Sequence, residues 1–268
     1  MNITITGNLG SGKSSVAKIL KEKGYEYSST GNIFRQLAME KGLSVEEFNR
    51  QVNEAASRGD HSVDKMIDDT TTRIAKERDH VVFDSRLAWH FAPESFKVFI
   101  ITDLDEASRR VFNDSMRANS ESYESQSACR KALINRQKLE TVRYKEIYDI
   151  DYYDMSNYNL VIESTSAAPD EIVQEILDKM TAYQNGVFDK MMELNPSSIR
   201  VPEQDDASKG TAESDIEVVE KGGVFTLCAG KKKLEKAVAQ GAKFVSVKVA
   251  VSEPGGEDSF MNFVKMSR

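Results

Sequence analysis

The chain has 268 residues, a formal charge of −7, 40% hydrophobic and 29% charged side chains, a size that holds one large domain or one domain with a small addition. The acidic balance argues against a general nucleic-acid coat, so any polyanion must be met by a local cluster of Lys and Arg. Two cysteines, Cys129 and Cys228, cannot build a disulfide framework, and no apolar run approaches the ~18 residues of a membrane span, so a cytoplasmic protein with no membrane association is expected.

Read in chain order, "ITITG" is a strand, which also speaks against a signal peptide. A helix with Val16, Ile19 and Leu20 at i, i+3 and i+4 follows and ends at Gly24. "YEYS" is a second strand, and "IFRQLAMEK" a helix stopped by Gly42. Ser44 to Glu47 form a capping box that opens a helix with Val45, Phe48 and Val52 on one face. Residues 62–78 are helical, "HVVFDS" is a buried strand ending in Asp84, and "FKVFIIT" is another. A helix from about 105 to 118 leads into the polar break "ANSESYES", and a long helix runs through "ACRKALINRQKLETVRYKEIY". "YNLVIES" is a strand, and "PDEIVQEILDKM" an amphipathic helix with Pro169 at its start. Strands separated by helices imply a parallel sheet in a three-layer α/β fold.

That alternation stops near residue 182. Residues 183–215 read as a linker or extended segment, since 203–215, "EQDDASKGTAESD", is acidic and poor in apolar residues. Beyond it, "IEVVEKGGVFTLCAG" reads as two strands around a Gly-Gly turn, "KKKLEKAVAQG" as a short helix, and "FVSVKVAV" as a strand. The expected organisation is a main domain over 1–182 and a small α+β domain over 216–268.

Gly7-Asn-Leu-Gly-Ser-Gly12-Lys13-Ser14 matches G-x-x-x-x-G-K-[ST], between a strand and a helix. The glycines let the backbone wrap so that successive N–H groups face phosphate oxygens, and the positive end of the following helix adds its field. Gly7, Gly10, Ser11, Gly12, Lys13, Ser14 and Ser15 are therefore the expected ATP- or GTP-binding residues. Lys13 reaches the β- and γ-phosphates, and the Ser14 hydroxyl is a ligand for Mg²⁺. Asp84, an acid at the end of an apolar strand, is the second candidate on the metal side.

Further basic residues suggest a second anion. Arg35 lies one turn into the helix after "SSTGN", and Arg86 lies just past the acidic strand end. Arg136, Glu140 and Arg143, at i, i+4 and i+7, share a face of the long helix. That face can be a solvated salt-bridge ladder, or it can join Arg35 and Arg86 in gripping a phosphate with planar guanidinium groups.

At these residues the chain resembles the cytidylate kinases, in particular the short archaeal-type branch of the nucleoside monophosphate kinases. "GNLGSGKSS", "YSSTGNIFRQLA", "FDSRLAW", "RQKLETVRYKEIYDID" and "YNLVIES" carry the resemblance in family order over residues 1 to about 180. It implies a P-loop kinase fold with a mobile lid, and transfer of the γ-phosphoryl of ATP, with Mg²⁺, to CMP or dCMP. On it, Thr30 and Arg35 form the turn that holds the acceptor, and Arg86 contacts the acceptor phosphate. Arg136, Glu140 and Arg143 contact phosphate and cytosine, a carboxylate suiting the cytosine amino group because uracil offers no donor there. Arg109, Arg110 and Arg117 fall where lid arginines lie, and one or two of them cover the transferring phosphoryl group. The acceptor is already an anionic oxygen, so no strong general base is required, and His61, His80 and His90 read as incidental or structural.

Three departures lie in the acceptor segments: Ser85 replaces the usual Gly before the Arg, His90 follows Trp89, and Asn32 replaces an acid. They bear on the base taken more than on the reaction, and keep open a P-loop kinase for another small acceptor. An ATP-dependent regulatory or binding module is the reading from a different class. Residues 187–268 weakly resemble the ParB/sulfiredoxin-like module, on Gly230, Leu234, Ala237, Gly241 and the alternating Val245, Val247 and Val249. That module's His is absent, so no activity is assigned to the segment.

Overall fold

The computed structural model describes residues 1–56, 58–114, 123–187, 191–202 and 215–253. The chain divides into two compact units, one of residues 1–6 and 14–97, the other of residues 7–13 and 98–268.

In the first unit, β1 (Ile3–Gly7), β2 (Glu26–Ser29) and β3 (Val81–Asp84) form a parallel sheet with β3 in the centre. Its register sets Ser29 and Ile5 both opposite Asp84. Both faces of the sheet are covered: β3 reads as the apolar run Val81-Val82-Phe83, and β1, although it alternates Ile and Thr, is buried at every residue. The helices are α1 (Lys13–Glu22), α2 (Thr30–Glu40), α3 (Val45–Ala56), α4 (Ser62–Glu77) and the single turn α5 (Ala88–Phe91). Val16, Ala17 and Leu20 of α1 are buried, as the i, i+3, i+4 spacing requires, with Ile19 half-buried. α2 starts three residues earlier than the apolar pattern suggests, because the Ser29 hydroxyl accepts from the Asn32 amide at 3.1 Å and caps it. Ser44 caps α3 in the same way through the Glu47 amide, and Phe48 is buried against the Phe34 ring at 4.8 Å. Buried Asn2 ties the sheet to the end of α4 by donating to the Ala75 and Arg78 carbonyls and accepting from the Val81 amide.

In the second unit, β4 (Phe96–Ile101) pairs in parallel with β5 (Leu160–Glu163), and β5 with β6 (Met191–Leu194). α6 (Leu104–Phe112) and α7 (Gln126–Tyr148) lie between β4 and β5 in the chain, and α8 (Pro169–Gln184) between β5 and β6. Asp103 caps α6 through two amides and Ser125 caps α7, while Asp149 ends α7 in the left-handed region at φ 56°. The Phe99 ring meets Tyr158 edge-on at 4.9 Å and lies tilted against Tyr153 at 5.8 Å, which seals β4 and β5 under the loop after α7.

The C-terminal region contains β7 (Ile199–Arg200), β8 (Ile216–Lys221), β9 (Val224–Ala229), α9 (Lys231–Ala239) and β10 (Val245–Glu253). β8 and β9 form the hairpin expected around Gly222–Gly223. The strands of 216–253 hydrogen bond into the sheet of this unit, since β10 pairs antiparallel with β6 and parallel with β8. β6 and β7 lie in the segment expected as linker, of which residues 188–190 and 203–214 fall outside the described ones. β6 is too short to announce itself by periodicity; it forms because β5 and β10 offer it hydrogen bonds on both sides. Lys179 of α8 seals this junction. Its ammonium lies 2.6 Å from the buried Glu193 carboxylate, donates to Ser246 at 3.0 Å and lies 3.5 Å from Glu175. Burial pulls the Lys179 ammonium down, but the hydrogen bond and charge of Glu193 outweigh it and hold its pKa above the ordinary value.

Candidate active site

The phosphate loop belongs, up to Lys13, to the second unit, and is held there from every side. Gly10 and Gly12 have φ of +79° and +84°, a region that L side chains enter at a cost of about 1–2 kcal/mol. At Gly10 a Cβ would also stand 2.7 Å from the Ala107 carbonyl oxygen, and at Gly7 it would run into the carbonyl of Ile100. Both glycines are thus fixed by the closeness of α6 and β4. Leu9 is buried with Ala107, Val111, Cys129 and Leu133, so the loop tip is a hydrophobic anchor on α6 and α7. Asn8 exchanges two hydrogen bonds with Thr102, donating to its carbonyl at 2.9 Å and accepting from its amide at 3.0 Å. This reciprocal pair ties the loop to the end of β4.

The Lys13 ammonium folds back over the loop and donates to the Gly7 carbonyl at 3.1 Å and the Asn8 carbonyl at 3.2 Å. The Ser11 hydroxyl is fully buried in the loop and has no hydrogen-bond partner among the described residues. A loop that holds an orphaned hydroxyl and an ammonium resting on carbonyls fits a site built for an oxyanion.

Arg110 stands at the same loop. Its Nη1 is 3.9 Å from the position that a Gly12 Cβ would take, and its Nη2 donates to the Ser164 carbonyl at 2.6 Å and the Thr165 carbonyl at 3.1 Å. The Glu106 carboxylate takes Arg110 Nε at 2.8 Å and a two-pronged grip from Arg109 at 2.7 and 2.8 Å. The Arg109 hydrogen bond, opposed by burial and reinforced by Arg110, lowers the Glu106 pKa from 4.5 to about 2. Of the three arginines expected on the lid, Arg110 is therefore anchored at the loop, Arg109 is exposed on the Glu106 pair, and Arg117 lies outside the described residues. Most of "ANSESYES" lies outside them as well.

In the first unit, Ser14 donates to Asp84 Oδ2 at 2.8 Å, and the Tyr27 hydroxyl donates to the same oxygen at 3.1 Å. Burial, then the Asp84 charge, raises the Tyr27 pKa, which keeps its proton on the phenol as the donor. An oxygen-only donor set of one hydroxyl and one carboxylate fits Mg²⁺, which takes few protein ligands and completes its shell with phosphate and water. Among the described residues no cluster of three or more His, Cys, Asp or Glu could hold a metal alone. Ser15 is exposed in the first turn of α1.

Thr30 opens α2, and Arg35 one turn on donates to the Asn32 side-chain oxygen. Arg86 is half-buried two residues past Asp84, in a turn whose Ser85 and Arg86 carbonyls accept from Thr6. In the second unit, Arg136 Nε donates to Glu140 Oε1 at 3.1 Å across one turn of α7, and Arg143 is exposed one turn further. The structure thus pairs Arg136 with Glu140 and Arg35 with Asn32. His90 lies edge-on to the Trp89 and Phe91 rings, and His80 takes φ 58° in the turn before β3.

Sequence reasoning missed Asn8, Tyr27, Ser164 and Glu163. Asn8 sits at the first free position of the loop motif, which tolerates any residue, so only its partner Thr102 gives it a role. Ser164 and Glu163 read as the polar end of a strand.

A parallel strand, a glycine-rich loop closed by Gly-Lys-Ser and a helix, with an aspartate ending the neighbouring strand on the serine hydroxyl, define a P-loop nucleotide-binding enzyme. Residues 2–166 match the cytidylate kinase-like family. The chain is 35% identical over 187 residues to a cytidylate kinase of Halobacterium salinarum, covering 69% of this chain and 91% of that one. It is 36% identical over 186 residues to a cytidylate kinase of Natronomonas pharaonis, covering 68% and 91%. Among solved structures, an uncharacterized protein from Eubacterium ventriosum shares the fold with a TM-score of 0.51 at 16% identity, over 68% of this chain and 99% of that one. The chain belongs to the cytidylate kinase-like family, and it is a kinase. Among the described residues, no helix is long and apolar enough to cross a membrane.

Proposed function

We propose that this kinase moves the γ-phosphoryl group of ATP, with Mg²⁺, to a nucleoside monophosphate, CMP or dCMP, giving the diphosphate and ADP. The observation that carries the reading is the phosphate loop, in which the Lys13 ammonium caps the Gly7 and Asn8 carbonyls and the buried Ser11 hydroxyl has no partner among the described residues. When phosphate enters, Lys13 exchanges those carbonyls for phosphate oxygens, and the loop amides need little rearrangement. Ser14 and Asp84 would hold Mg²⁺, which supplies charge neutralisation at the phosphates when bound. Arg110, anchored beside Gly12, is the arginine best placed to stabilise the transferring group; Arg109 and Arg117 are its lid companions.

Thr30, Arg35 and Arg86 hold the acceptor phosphate, with Arg136 and Arg143 adding to its grip. Glu140 accepts from the cytosine amino group, its carboxylate oriented by Arg136. Relatives that are cytidylate kinases, matched over nine-tenths of their length, support cytosine as the base. Residues 1–182 form the phosphotransferase domain on this reading, with the α+β segment 216–268 as its addition.

ADP release from ATP·Mg²⁺ against CMP, dCMP, UMP, AMP and GMP tests it. Turnover is expected with CMP or dCMP at least about tenfold above the rest, because Glu140 meets no amino donor on uracil. Silence with all five would remove the nucleotide acceptor and leave an ATP-binding module or a kinase of another small acceptor.

A further inference from the structure

The groups that hold the phosphate loop do not end with the stretch that matches the family. β5 closes on Glu163, whose carboxylate is only 7% exposed. Its Oε2 accepts from the Asn195 amide at 3.1 Å, and its Oε1 from the Ser198 hydroxyl at 2.8 Å. Both donors come from the turn Asn195–Ser198 that follows β6, and β6 runs beside β5 with Glu193 opposite Ile162. This turn lies beyond residues 2–166, the matched stretch.

The next residue, Ser164, faces the loop. Its hydroxyl donates to the Ser11 carbonyl at 2.9 Å, and its own carbonyl accepts from Arg110 Nη2. Ser164 is fully buried, so small movements of the β5 end pass to both partners. One short segment therefore joins the C-terminal turn on one side to the phosphate loop and its arginine on the other.

We propose that the Asn195–Ser198 turn is a positioning element of the donor site. By clamping Glu163 it fixes Ser164, and through Ser164 it sets the Ser11 carbonyl and the Arg110 guanidinium against the incoming triphosphate. The inference rests on the reading above only in taking ATP as the loop's ligand. Two hydrogen bonds to one carboxylate are stronger than neutral ones, and losing either leaves a buried oxygen that must turn toward another donor. The loop then loses its set position, which ATP must restore on binding.

The test is calorimetric titration of the full chain with ATP·Mg²⁺ and, separately, with CMP, in the wild type, Ser198→Ala, Ser198→Thr and Glu163→Gln. Ser198→Ala is expected to weaken ATP binding about 3- to 10-fold and leave CMP binding within about twofold. Ser198→Thr, which keeps the hydroxyl, restores ATP affinity. A purely structural clamp would lower the melting temperature and leave ATP affinity in place, and that result overturns the proposal, as does equal weakening toward both nucleotides. Should Ser198→Ala not fold, Glu163→Gln carries the same comparison with one carboxylate oxygen kept as acceptor. The readout needs no turnover, so a chain that binds ATP but phosphorylates no nucleotide overturns the functional reading and still decides this one. A wild-type chain that binds no ATP overturns both.

Discussion

On the proposed reading, the phosphate loop and the acceptor arginines solve the same problem, holding an oxyanion, by opposite means. Residues 7–13 are fixed by packing and backbone: Leu9 is buried, Asn8 is paired twice with Thr102, and Gly7 and Gly10 leave no room for a side chain. Among the acceptor residues, Arg35 and Arg136 are long side chains on helix surfaces, where Arg35 meets Asn32 and Arg136 meets Glu140 within one turn. A backbone cradle spends no side-chain entropy when phosphate enters, whereas each exposed arginine must be ordered at a cost of up to about 2 kcal/mol. On that reading the triphosphate side is preorganised and general, and the acceptor side is adjustable and specific. Asn32 sharpens the contrast. The resemblance leads to an acid there, which would neutralise Arg35, and an amide leaves that guanidinium its full charge for the acceptor.

The sharpest way to break this comparison is Lys13→Ala. It removes the one ammonium that replaces its carbonyl partners with phosphate, and kcat should fall about 10²- to 10³-fold or more in an ADP-release assay. Retention of a tenth of the rate would deny the loop its role. Gly10→Ala comes next. The added methyl meets the Ala107 carbonyl and the left-handed backbone opposes it, so a loss of at least about 1–2 kcal/mol in stability should accompany weakened ATP binding. Thermal melting with and without ATP separates the two effects.

Arg136→Ala should act on the other side. KM for the acceptor is expected to rise about tenfold with KM for ATP unchanged, since one guanidinium and the orientation of Glu140 are lost together. Equal changes in both constants would place α7 in the donor site. The smallest expected effect concerns pH. The Glu106 pKa is lowered from 4.5 to about 2, first by the Arg109 hydrogen bond, against burial, with Arg110 adding to it. A depressed carboxylate stabilises the fold above its ordinary pKa, so this contribution is complete above pH 4.5 and disappears as pH falls through about 2. Melting temperatures of the wild type and Glu106→Gln should converge between those limits; a constant gap would show that Glu106 acts as an uncharged acceptor.

How much of this was legible in the sequence depends on how far apart the partners lie. The loop, its flanking strand and helix, and the cap at Ser44 are local, and a few neighbouring residues define them. The arginine face of α7 follows from helical spacing alone. What stayed hidden is non-local. Glu163 meets donors 32 and 35 residues later, and Asn8 meets Thr102 across 94. β6 is four residues long, and only its neighbours make it a strand. Pairings of that kind arise from topology, which composition and period do not carry.

The central claim is tested most directly by following the γ-phosphoryl group itself. ATP labelled at the γ-phosphorus is mixed with CMP, Mg²⁺ and the chain, and the products are separated. The account predicts label on the β-phosphorus of CDP, formed one for one with ADP. Label found only in inorganic phosphate, with CMP returned intact, would contradict it.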